Sequence, residues 1–180
     1  GIDASGLELR MLAHYMNDAA YTKQLLEGDI HTYNQRAAGL QTRDQSKTFI
    51  YALIYGGGFT KIGQIAGGSP RKGKQLVDKF MASIPAYPRL KEKVLQAMRK
   101  RGTLLGLDGR RLRVESEHSA LNFLLQSAGA IVMKKALVIL KHSLDDAGVW
   151  YKFVANVHDE WQIESSSSDA DLVGRLGVQA

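Results

Sequence analysis

The sequence predicts an α+β fold, a mostly helical chain carrying one small antiparallel sheet. Apolar residues recur at helical spacing through most of residues 7–146, interrupted by Gly and Pro. The stretch WYKFVANVHDEWQIE (Trp150 to Glu164) instead reads as two extended runs, Tyr151–Val157 and Glu160–Glu164, around His158-Asp159. Gly1 to Ala4 opens like the tail of a further strand.

The elements follow in order. After Asp3, SGLELR starts a helix with Leu7, Met11 and Leu12 on one face. Ala19–Glu27 is a second helix, ended by Gly28; Asp29-Ile30-His31-Thr32 opens a third, closed by Gly39. TRDQSKTFIYALIYGGG (Thr42 to Gly58) is the best punctuated segment. Thr42 and Gln45 make a capping-box pattern, and three glycines offer a left-handed stop. Phe59–Ile65 is a short helix, GGSP a turn, and Arg71–Ser83 an amphipathic helix with Leu76, Val77 and Phe80 inward. Pro85 and Pro88 bracket the start of another, running from Leu90 to Arg101. Thr103–Val114 reads as a strand pair turning through Asp108-Gly109. Ser116 can cap a long helix to about Asp146, which at ~1.5 Å per residue would reach roughly 45 Å. Its apolar content predicts a central buried helix. The last twelve residues, DADLVGRLGVQA, are again helical in pattern and stop while still periodic. With the truncated opening strand, they suggest a piece of a longer chain.

Composition narrows the class. A length of 180 residues suits one core or two lobes, and no apolar run is read as long enough to cross a bilayer. The absence of cysteine excludes disulfide scaffolds and thiolate metal sites, and is compatible with a reducing compartment. The net charge of +6 is unevenly spread. Residues 61–113 hold fourteen Lys or Arg against three Asp or Glu, a net of +11, which leaves −5 for the rest. A basic middle between mildly acidic ends points to a polyanion for the former and cations for the latter.

Several side chains could carry chemistry. Arg43, Lys47, Tyr51 and Tyr55 recur every four residues, one stripe of a helix with a basic head and an aromatic tail. Cations of that kind hold phosphates, and aromatic rings stack on bases or sugars. Asp3 ends a strand, Asp159 sits at a hairpin tip, and His31 lies near a helix start. Asn122 and Gln126 place two amides at neighbouring levels of one helix face. Taken singly, each has an ordinary structural explanation: a cap, a solvated turn, half-buried tyrosines. Together, two aspartates around a phosphate-binding helix suit nucleotidyl transfer, in which two cations about 3.5–4 Å apart clamp the attacking and leaving oxygens. Hard oxygen ligands suit Mg²⁺.

In this order and with these gaps the chain resembles the family A DNA polymerases, most closely the phage replicative branch. DASGLELR (Asp3 to Arg10) resembles motif A, RDQSKTFIYALIYG (Arg43 to Gly56) motif B and VHDE (Val157 to Glu160) motif C. GDIHT, DGRR and NFLLQSAGA match intervening blocks of the family. The resemblance implies a partial right-hand polymerase, with helical fingers inserted into a palm that has a small antiparallel sheet. The palm would comprise residues 1–12 and 105–180 and the fingers residues 13–104. The motif B helix would lie at about 43–55, the long helix at about 117–146 and the motif C hairpin at about 150–164. Thumb and exonuclease regions would lie outside this chain.

The resemblance also implies roles. Asp3, Asp159 and Lys47 would be catalytic, with Asp3, Asp159 and the Ala4 carbonyl binding two Mg²⁺ ions, replaceable by Mn²⁺. His31, Arg43 and Lys47 would hold the triphosphate of a dNTP. Glu8 would form a steric gate with Tyr51 against a ribose 2′-hydroxyl, and Tyr55 would stack by the templating site. Arg111, Asn122 and Gln126 would touch the primer–template minor groove and His158 the primer end, with Glu160 beside the metals. Implied partners are primer–template DNA, dNTP, the remaining regions of the parent chain and a processivity factor, without a membrane, in the cytoplasm (the host's, for a phage protein). Two alternatives stand beside this reading. Single-subunit RNA polymerases share the Arg/Lys/Tyr helix and both aspartates, but lack the gate glutamate and usually have Ser after the motif C aspartate. The other is a non-catalytic DNA-binding fragment.

Overall fold

The computed structural model describes all 180 residues. In chain order the elements are β1 (Ile2–Asp3), α1 (Leu7–Met16), α2 (Ala19–Glu27), α3 (Ile30–Ala38), α4 (Arg43–Ile54), α5 (Phe59–Ile65), α6 (Pro70–Ser83) and α7 (Ala86–Arg101). There follow β2 (Leu104–Leu105), β3 (Arg111–Leu112), α8 (Ala120–Asp146), β4 (Tyr151–Val157), β5 (Glu160–Ser165) and α9 (Ala170–Gln179). The chain divides into a helical unit, Leu9–Leu125, and a discontinuous unit, Gly1–Glu8 with Gln126–Ala180. The α+β class is as the sequence predicts.

Local signals set the helix ends of the helical unit. The Asp18 carboxylate accepts from the Tyr21 amide at the head of α2, and Asp29 does the same for α3. At α4 the capping box is complete: the Gln45 amide donates to Thr42 Oγ1 at 3.1 Å, and Gln45 Oε1 accepts from the Thr42 amide at 3.3 Å. Ser69 and Pro70 start α6 in the same spirit. The core joins Phe49, Ile50 and Ile54 of α4 to Leu76, Val77 and Phe80 of α6 and Tyr87, Leu90 and Val94 of α7. Phe80 stacks edge to face on both Phe49 and Tyr87, with centroids 5.5 Å apart in each case. The buried Tyr87 hydroxyl donates to the Leu53 carbonyl, which ties α7 to the last turn of α4. Helices α5 and α6 approach so closely that only glycine fits at the contact: a Cβ on Gly73 would lie 2.0 Å from the Phe59 carbonyl oxygen. The short pair β2–β3 has Leu104 opposite Leu112, both buried, while Leu105 is exposed.

The discontinuous unit holds a three-stranded antiparallel sheet in the order β1-β5-β4. His158-Asp159 joins β4 to β5 as a two-residue loop, with Val157 opposite Glu160. The register shifts between Phe153 and Ala155, a bulge at Val154. Trp161 of the central strand is buried. Helix α9 packs on β1 with Gly177 against the Ile2 side chain.

Three expectations need correction. Helix α8 starts at Ala120, after a turn in which Ser116 Oγ accepts from the Ser119 amide, rather than directly at Ser116. It is not buried throughout. Ala120, Leu121, Leu124, Leu125 and Ala128 are buried in its first turns, but beyond Gly129 only Met133, Leu140 and Leu144 are. Val132, Val138 and Ile139 are exposed, so its second half is a one-sided helix whose apolar residues exceed the buried line. The same surplus makes α8 long and apolar enough, by length and composition, to cross a membrane, contrary to the sequence-based expectation. Core helices pass that test too, and the adjacent charges Lys134 and Lys135 lie at its middle.

Candidate functional site

The discontinuous unit gathers acidic residues at one end of its sheet. Strand β1 pairs with β5 so that Asp3 lies opposite Glu160, and the Ala4 amide donates to the Asp159 carbonyl at 2.9 Å. Residues separated by more than 150 positions thus become neighbours through backbone pairing alone. Asp3 is exposed, and Asp159 and Glu160 are half-buried. The Glu160 carboxylate accepts from the Gln162 side chain, Nε2, two residues along the same strand face. His158 holds φ at +55°, an unusual value for a non-glycine residue, at the first position of the hairpin loop. No group of three or more His, Asp or Glu side chains is drawn together tightly enough to form a metal cage. What the sheet end supplies is two aspartates with backbone carbonyls beside them, a hard oxygen donor set of the kind divalent cations prefer. Of the other predicted residues in this unit, Glu8 is half-buried on α1 and Gln126 exposed on α8.

The helical unit gathers the cations. On α4, Arg43 and Lys47 are exposed, Tyr51 is half-buried against the core, and Tyr55 caps the helix with its side chain about half open to solvent. The basic head of the stripe therefore lies on the outward face of the helix, and Tyr51 turns in toward the core. His31, on the first turn of α3, stands close enough to Arg43 and Lys47 that both cations help to hold its imidazole below its ordinary pKa. Burial is the larger cause, and the Asp29 carboxylate pulls the other way. The imidazole is therefore neutral at pH 7, and its Nδ1 is buried without a partner. Three groups able to bind an anion are thus grouped on two helices. Behind them Tyr21 is fully buried, its hydroxyl accepting from Asn34 Nδ2 at 3.3 Å. Burial pushes that phenol far up, and the nearby Tyr33 and Tyr51 rings add to the shift. Arg111 lies exposed on β3, and Asn122 on α8 keeps its side-chain oxygen buried and unpartnered.

Sequence reasoning missed Asp29. Its carboxylate accepts from the His31 and Thr32 amides, from the Thr32 hydroxyl and, at 2.7 Å, from Arg43 Nε. The neighbouring guanidinium holds it well below the usual carboxylate range. An Asp three residues before a Thr at a helix start is legible as a cap. The Arg43 contact spans fourteen residues, and no local pattern announces it.

The fold is that of a polymerase-domain segment. The chain superimposes on the POL domain of Pol1 from M. smegmatis, solved in complex with DNA primer-template and dNTP, with a TM-score of 0.88. That match covers 98% of this chain and 35% of the other at 23% identity, a likeness of fold. The model of DNA polymerase family A matches residues 1–179, and the chain belongs to that family. It is 44% identical to the DNA-directed DNA polymerase of Enterobacteria phage T3 and 45% identical to that of Escherichia phage T7. Each alignment runs over 186 residues, covering 91% of this chain and 26% of the relative. The thermostable DNA polymerase I of Thermus aquaticus is 29% identical over 99% of the chain and 24% of its own length. The chain thus spans about a quarter of the length of these relatives.

Proposed function

We propose that this chain is the palm and fingers segment of a DNA-directed DNA polymerase that adds dNTPs to a primer 3′-hydroxyl on a DNA template. The observation that carries the reading is the β1–β5 register, which sets Asp3 beside Glu160 and bonds Ala4 to Asp159 within a chain of this family. Residues 1–12 and 105–180 are assigned to the palm and 13–104 to the fingers. The discontinuous unit supports the palm assignment, although residues 9–12 and 105–125 fall in the helical unit.

Asp3, Asp159 and the Ala4 carbonyl are the groups to hold two divalent cations, Mg²⁺ or in its place Mn²⁺. When bound, such ions stabilise the charge developing on the attacking and leaving oxygens. Arg43 and Lys47 donate to the triphosphate, and the Lys47 ammonium offsets charge on the departing pyrophosphate. His31 donates as a neutral imidazole, and an approaching phosphate favours its protonation. Glu8 and Tyr51 bound the sugar, where a bulky wall rejects an extra hydroxyl by steric exclusion. Tyr55 offers an exposed ring for stacking beside the template base. Arg111, Asn122 and Gln126 read the primer–template minor groove, where amides and a guanidinium meet acceptors common to all base pairs. His158 positions the primer end. The working protein is placed in the cytoplasm, with the remaining parent regions and a processivity partner.

Primer extension by the full-length protein that contains this chain tests the reading. Extension with dNTPs, much weaker extension with rNTPs, and loss of both in Asp159→Ala are expected. Preference for rNTPs would favour the RNA polymerase reading, and duplex binding without extension would favour the non-catalytic one. The isolated 180 residues should extend primers poorly, because the chain spans only about a quarter of its relatives.

A further inference from the structure

Asp29 stands between the two helices that carry the anion-binding side chains. Oδ1 accepts from the His31 amide at 3.0 Å and the Thr32 amide at 3.4 Å, and Oδ2 accepts from Thr32 Oγ1 at 2.9 Å and Arg43 Nε at 2.7 Å. An ionised carboxylate offers about four lone-pair sites, so these bonds use its full capacity. The same oxygens therefore close the N-terminus of α3 and hold the first residue of α4. Arg43 spends one of its five N–H groups, the inner one, on this contact. The two outer nitrogens, which form the fork that matches phosphate, keep their hydrogens for a ligand. Both partners are about half exposed, so a ligand reaches the guanidinium without breaking the pair. A long arginine side chain otherwise loses much rotamer freedom on binding, and a tether removes part of that cost beforehand.

We propose that Asp29 is a positioning residue for the nucleotide triphosphate, tethering Arg43 of α4 to the head of α3 so that its outer guanidinium nitrogens are held ready beside His31. The proposal rests on the reading that Arg43, Lys47 and His31 receive that triphosphate. It runs against simple electrostatics, by which a carboxylate next to a phosphate site repels the ligand and its removal tightens binding. The two accounts predict opposite signs.

The test uses the full-length protein on a primer–template, with dNTP affinity and single-turnover extension measured for Asp29→Asn, Arg43→Ala and the double variant. Asn keeps the capping acceptor and loses the charge. Asp29→Asn should weaken dNTP binding about fivefold, the upper range for an exposed ion pair, with the rate at saturating dNTP changed less than twofold. In the Arg43→Ala background it should weaken binding no further, since the effect passes through Arg43. Thr32→Ala, which removes one bond to the carboxylate but leaves the charge pair, should bind dNTP as wild type does. Unchanged or tighter binding in Asp29→Asn, full additivity in the double variant, or a fivefold loss in Thr32→Ala would each overturn the proposal. A wild-type protein that fails to bind dNTP would instead refute the nucleotide-site reading itself.

Discussion

Replacing Gly73 by alanine adds one methyl group at the contact of α5 with α6. The added Cβ would lie 2.0 Å from the Phe59 carbonyl oxygen, 2.7 Å from the Gly63 nitrogen and 2.9 Å from the Phe59 carbonyl carbon. Ordinary contact begins at 3.4 Å, so the α5 backbone must retreat by about 1.4 Å. These atoms are main chain and cannot rotate aside. Forcing extra volume into a packed contact costs about 1–3 kcal/mol, against which alanine's better helix propensity returns up to ~1 kcal/mol. The net expectation is a loss of about 1–2 kcal/mol, a fall of roughly 2–8 °C in Tm for a chain of this size. Gly174→Ala on α9 is the matched control, because nothing lies within 4 Å of its added Cβ. That substitution should stabilise by about 0.4–1 kcal/mol. Thermal and urea unfolding followed by circular dichroism would read both. The two changes are chemically identical and differ only in packing, so a Gly73→Ala midpoint at or above wild type would refute the reasoning.

Other perturbations address the helix stripe. Thr42→Ala removes the side-chain half of the α4 capping box and should cost about 1 kcal/mol, seen as faster amide exchange in the first turn. Tyr51→Phe should lower incorporation of dideoxynucleotides relative to dNTPs, because the lost hydroxyl can stand in for the missing 3′-hydroxyl bond; one hydrogen bond predicts severalfold, and equal discrimination in both proteins would count against the role. His31 is held neutral by burial, Arg43 and Lys47, against the pull of Asp29. Since its pKa begins below 6.5 and a bound triphosphate raises it, binding takes up a proton and should strengthen as pH falls from 8 towards 6. His31→Gln should flatten the protein's share of that dependence, which isothermal titration in buffers of different ionisation heat would detect.

The starts of α2, α4 and α6 lie in short-range chemistry, which is why they are legible. Thr42 with Gln45, Asp18 with Tyr21 and Ser69 with Lys72 are contacts over three residues. The Arg43–Lys47–Tyr51–Tyr55 stripe follows from helical periodicity once those limits are known. Helix α8 shows where the approach runs out. Its apolar residues are numerous enough to suggest burial all round, but composition says nothing of how much apolar partner surface is available. The structure buries Leu140 and Leu144 while Val138 and Ile139 stay open.

The sequence by itself determined the class of fold, the order of the three motifs and the site candidates that lie in them, because each is carried by local pattern. Tertiary structure alone decided which distant residues meet. It set Asp3 opposite Glu160 through the pairing of β1 with β5, and it bound Arg43 to Asp29 across fourteen residues. Such contacts depend on loop closure and on the packing of whole elements, whose free energy is spread over many residues rather than written in the two that touch.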